Sequence, residues 1–95
     1  MKKKLKIDNV KDVREFIDTV CGFKEDIYIV MKDGSKVNAK STYSVFTAGV
    51  ENISEVEVVG ENVQKINEIF NCICEWIIEW KRLTYNLKSA IIVLL

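Results

Sequence analysis

Residues 27–49 read Ile27-Tyr28-Ile29-Val30-Met31-Lys32-Asp33-Gly34-Ser35-Lys36-Val37-Asn38-Ala39-Lys40-Ser41-Thr42-Tyr43-Ser44-Val45-Phe46-Thr47-Ala48-Gly49. Ile27 to Met31 is rich in β-branched and aromatic residues, which suit a pleated strand. Asp33-Gly34 is a strong hairpin turn signal. Val37 and Ala39 then alternate with Lys36, Asn38 and Lys40, as a returning strand requires. Ser41 is placed to cap a short helix that ends near Gly49. A β-hairpin therefore runs directly into a short capped helix.

Toward the N-terminus, Leu5 and Ile7 alternate with Lys4, Lys6 and Asp8, predicting a short strand with one wet face. Asn9 is a good N-cap, and Asp12 falls in the first turn, where the helix dipole favours negative charge. Val10, Val13, Ile17 and Val20 keep helical spacing, with Phe16 widening the stripe and Gly22 at the stop. Toward the C-terminus, Val56 and Val58 alternate with Glu55 and Glu57 in a fourth strand ending at Gly60. No glycine or proline follows Glu61. Ile66, Ile69, Ile73, Trp76, Trp80, Leu83, Leu87, Ala90 and Leu94 alternate spacings of three and four, with Phe70, Ile77 and Ile91 beside them. This predicts a helix from Glu61 to Leu95, about 50 Å long at ~1.5 Å per residue. Such a helix outruns a compact domain of this size, so its far half packs on something else or breaks near Tyr85-Asn86. Strands and helices in this order indicate an α+β fold, an antiparallel sheet with helices on one face.

Composition narrows the chemistry. The chain has 95 residues, enough for one small domain. Lysine plus arginine and aspartate plus glutamate are balanced at 14 each, which argues against a general nucleic-acid binder. There is no histidine, which excludes histidine as base, phosphoryl acceptor or metal ligand. Cys21, Cys72 and Cys74 are odd in number and lack a disulfide spacing, so a reducing, cytoplasmic location is expected. Cys72 and Cys74 would point to opposite sides of a helix, which leaves packing rather than metal binding as their role. Glu75 and Glu79 read as solubilising charges, and Lys2, Lys3, Lys4, Lys6 and Lys11 as a solvated strand end. The longest apolar run, Ala90 to Leu95, is too short for a membrane span.

The order of elements and several local motifs resemble HPr, the histidine-containing phosphocarrier of the bacterial sugar phosphotransferase system. Val37-Asn38-Ala39-Lys40-Ser41, followed by Val45-Phe46-Thr47-Ala48-Gly49-Val50, is similar to that family's V-N-x-K-S-I-M-G-V-M-S-L segment. Phe23 to Ile27 and Val56 to Gly60 resemble the stretches around its second and last strands. The resemblance implies an open-faced β-sandwich, a four-stranded antiparallel sheet covered on one face by three helices. It covers roughly residues 4 to 80. The expected organisation is an HPr-like domain over 1–81 and an apolar extension of the last helix over 82–95.

The same resemblance places Asn9 where the family has its phosphoacceptor histidine, Lys11 where it has an arginine and Asp12 where it has a proline. An amide carries no labile phosphoryl group, so the carrier chemistry is expected to be lost. Ser41, after Lys40, matches the serine that some family members have phosphorylated for regulation. Capping and phosphorylation are both open to Ser41, since a capping serine already sits where an anion is favoured. Thr42-Tyr43-Ser44 replaces the family's apolar docking patch, of which Tyr43 and Phe46 keep part. The expectation is a non-enzymatic regulatory or interaction protein without cofactor or metal. Its partners would be proteins, an HPr serine kinase among them, bound through Lys11, Lys40, Tyr43 and Phe46. The rival is a structural module that forms a homodimer through Trp76, Trp80, Leu83, Leu87 and Leu94 of the C-terminal helix.

Overall fold

The computed structural model describes residues 1–78. Its order is β1 (Lys2–Lys4), α1 (Val10–Val20), β2 (Asp26–Met31), β3 (Lys36–Asn38), α2 (Thr42–Ala48), a 3-10 turn (Val50–Asn52), β4 (Ile53–Val59), α3 (Val63–Cys72) and a second 3-10 turn (Cys74–Trp76). The four strands form one antiparallel sheet in the order β1-β4-β2-β3.

The alternation along β2 and β4 sorts the two sheet faces. Ile27 pairs with Val58 and Ile29 with Val56. All four are buried, in one core with Val13, Phe16, Ile17 and Val20 of α1, Val45 of α2, and Ile66, Ile69 and Phe70 of α3. Burying a side chain of this size contributes about 1.5–3 kcal/mol. The hairpin turn is closed by the Gly34 N–H donating to the Met31 carbonyl at 2.9 Å. Gly34 has φ +89°, a conformation that explains glycine after Asp33.

The other sheet face carries a charge lattice. Lys2 lies opposite Glu57, and Lys4 opposite Glu55. Lys36 Nζ reaches Glu57 Oε1 at 2.7 Å. The Lys36 hydrogen bond, aided by the nearby charges of Lys36, Lys2 and the N-terminus, holds the Glu57 carboxyl below the usual carboxylate range, against the opposing pull of burial. A lowered folded value means that this stabilisation is present above the unfolded value of 4.5 and is lost as pH falls through the folded one. Glu57→Gln is therefore expected to cost about 0.2–1 kcal/mol at neutral pH. Urea unfolding in progressively more acidic buffers should show the gap between the two proteins closing.

Four expectations are corrected. The first strand lies at Lys2–Lys4, earlier than the Leu5 and Ile7 alternation implied. Leu5 instead forms an isolated bridge to Ile77, and both Leu5 and Ile7 are buried. The predicted helix from Glu61 onward begins at Val63, capped by Asn62, and ends at Cys72. Ile73 leaves helical geometry at φ −109°, ψ 15°, and the 3-10 turn brings Ile73, Trp76 and Ile77 inside together. The Lys6 N–H takes the Trp76 carbonyl at 2.8 Å, so the chain is tied to the segment after β1 and not to another helical turn. Third, Cys72 is exposed while Cys74 is half-buried, so packing does not account for the Cys72 thiol. Fourth, Trp76 is 4% exposed and meets Phe16 edge-to-face at 5.7 Å, so it packs in the domain's own core and does not stand free on a helix surface. Trp80, Leu83, Leu87, Leu94 and the break expected near Tyr85-Asn86 lie outside the described residues, as does the extension over 82–95. No helix among the described residues is long and apolar enough to cross a membrane.

Candidate functional site

The start of α1 is built around Asn9. Its backbone is extended, at φ −140° and ψ 156°, and its side-chain oxygen accepts the Asp12 N–H at 2.8 Å. Its amide nitrogen donates to Asp12 Oδ2 at 3.0 Å and to Asp8 Oδ1 at 3.2 Å. The side chain is thus occupied at both ends, by a helix N–H and by two carboxylates. Beside it lies an open cleft of 510 Å³ whose lining includes Lys6, Asp8, Lys32 and Glu51. The charges there are mixed, and the carboxylates closest to Asn9 oppose an incoming phosphate. Lys11 is exposed in the first turn of α1 and is absent from that cleft's lining. Asn9→Ala is expected to cost about 1 kcal/mol through loss of the cap. Thermal unfolding by circular dichroism measures it, and Asn9→Asp, which keeps an accepting oxygen, should recover part of the loss.

The second region is the start of α2. Ser41 is half-buried, and its Oγ accepts the Ser44 N–H at 3.3 Å while donating to Ser44 Oγ at 3.0 Å. The capping role is therefore filled as expected. Tyr43 is 81% exposed, whereas Phe46 is half-buried against the core. Lys40 differs from a free surface cation. It is half-buried, and its ammonium donates to the Phe23 carbonyl, tying the entrance of α2 to the loop after α1.

Sequence reasoning passed over Arg14, which with Ile17, Asp18 and Thr42 lines a groove of 310 Å³. Its signal was available, because Arg14 stands three residues from Lys11 on one side of α1. It also passed over Asn62 as the cap of α3, although asparagine three residues before Lys65 has the right spacing. No group of acidic, cysteine or histidine residues that could hold a metal occurs among the described residues.

Sheet order and helix placement define an HPr-like fold. Solved structures that share it include the phosphocarrier protein HPr from Bacillus anthracis strain Ames, 19% identical, with a TM-score of 0.61 over 82% of this chain and 96% of that one. HPr-C-His from Thermoanaerobacter tengcongensis is 22% identical, with a TM-score of 0.59 over 79% of this chain and 85% of that one. At these identities the likeness establishes the fold. No family model matches the chain, and no curated protein matches it by sequence.

Proposed function

We propose that this chain is a divergent HPr-like protein that does not relay phosphate through histidine. It acts instead as a regulatory, protein-binding module of the phosphotransferase-system type. The observation that carries this reading is Asn9. In a chain without histidine, the residue at the first helix start is an amide engaged by Asp12 and Asp8. The regulatory half of the reading rests on Ser41, a hydroxyl at a helix start where free N–H groups favour an added phosphate. Phosphorylation would remove the Ser41 proton now donated to Ser44 and put negative charge two residues from the exposed ring of Tyr43. The partner, a kinase or a binder of the phosphorylated form, meets Tyr43 and Phe46, with Lys11 and Lys40 supplying charge nearby. The reading is of a protein of the bacterial cytoplasm, without enzyme activity of its own.

Intact mass spectrometry after incubation with ATP and an HPr serine kinase tests it, beside a Ser41→Ala control. One phosphate on the native chain and none on the control supports Ser41. An unmodified native chain removes that assignment. Phosphate transfer from phosphoenolpyruvate through an enzyme I would overturn the loss of the carrier step.

A further inference from the structure

We infer that the Asp33-Gly34 turn is a spontaneous isomerisation site that the fold holds shut, with Ser35 as the restraining residue. An aspartate followed by glycine is prone to cyclise, because no side chain shields the next backbone nitrogen. The Gly34 nitrogen attacks Asp33 Cγ and an N–Cγ bond forms. The carboxyl hydroxyl and the amide hydrogen leave together as water, giving a succinimide. Water then reopens the ring, and opening at the backbone carbonyl yields isoaspartate, with one extra methylene in the main chain.

Two features of this turn oppose the first step. The Gly34 N–H is engaged with the Met31 carbonyl at 2.9 Å, so the nucleophile is held in the turn. Asp33 Oδ1 is held by the Ser35 N–H at 2.9 Å and the Ser35 Oγ–H at 2.6 Å, which fixes the carboxyl over Ser35. Those two bonds also lower the Asp33 carboxyl below its usual range, keeping it as a carboxylate, which lacks the hydroxyl that must leave. Gly34 has no side chain to shield its nitrogen, and the space where a Cβ would stand is open. Restraint therefore falls on the hydrogen bonds. Isomerisation would matter to the fold, because an added methylene disrupts the Met31 N–H to Ser35 carbonyl bond of 2.8 Å that closes the hairpin.

The test is isoaspartate formation in the full chain, aged at neutral pH and physiological temperature and read by enzymatic isoaspartyl methylation and peptide mapping. A free peptide spanning Tyr28 to Lys40 is the unrestrained reference. The folded wild-type chain should isomerise several-fold more slowly than the peptide. Ser35→Ala, which loses the Oγ–H bond and keeps the backbone N–H bond, should isomerise several-fold faster than the wild type yet more slowly than the peptide, while circular dichroism shows it folded. Ser35→Thr, which keeps the hydroxyl and the N–H, should stay slow. A wild-type rate equal to that of the peptide, a slow Ser35→Ala or a fast Ser35→Thr would each overturn the inference.

Discussion

Replacing Trp76 by alanine is expected to remove about 3–5 kcal/mol of folding stability, the usual cost of truncating a buried large aromatic. A domain of this size has about 5–15 kcal/mol in total, so the variant should approach its unfolding threshold. Trp76 is 4% exposed and contacts the Phe16 ring at 5.7 Å with planes at 81°. Its carbonyl also accepts the Lys6 N–H. Urea unfolding followed by circular dichroism at two protein concentrations provides the check. A core residue gives the same loss at both concentrations. An interface residue gives a loss that changes with concentration, because association stabilises by mass action. Light scattering on the full chain and on one ending at Lys81 separately asks whether residues 82–95 drive assembly.

The second large effect is expected at Gly49, where alanine should cost about 1–3 kcal/mol of backbone strain. Gly49 closes α2 and opens the following 3-10 turn with φ +99° and ψ 120°, a combination unfavourable for a residue bearing Cβ. A Cβ there would stand 2.9 Å from Asn52 Nδ2 and 3.0 Å from Glu51 Oε1. Those are side-chain ends that can swing aside, but moving Asn52 gives up its bond to the Ala48 carbonyl at 3.2 Å. Lower protection of the Val45 and Gly49 amides in hydrogen exchange, beyond the global loss, is the expected signature. Because α2 carries Tyr43 and Phe46, Gly49→Ala should also weaken any partner binding through that surface.

The residues that were readable in advance share a property. Asn9 and Ser41 are caps, and a cap depends on groups within about three residues of itself. The Asp33-Gly34 turn and the alternation in β2 and β4 are equally local. Lys40 was harder to read, because its ammonium is held by Phe23, far back in the chain, and no spacing rule announces that bond. The helical spacing of Arg14 from Lys11 was legible, but the groove it lines was not, because Thr42 of another helix completes it.

The end of α3 marks the boundary between the two kinds of information. The alternation of three and four residues specified an apolar stripe and no stop, and within that limit a longer helix was the correct local answer. Local patterning thus determined α1, the β2–β3 hairpin, α2 and β4 with their faces, two of the three helix caps and the absence of histidine chemistry. Packing determined the rest: the sheet order β1-β4-β2-β3, the exposure of Cys72 and the exit of the chain from helix at Ile73. At that point one more helical turn competes with placing Ile73, Trp76 and Ile77 in a single core while Lys6 takes the Trp76 carbonyl. The second arrangement wins because it satisfies the freed backbone and buries three large side chains, two gains that exist only once the two ends of the domain have met.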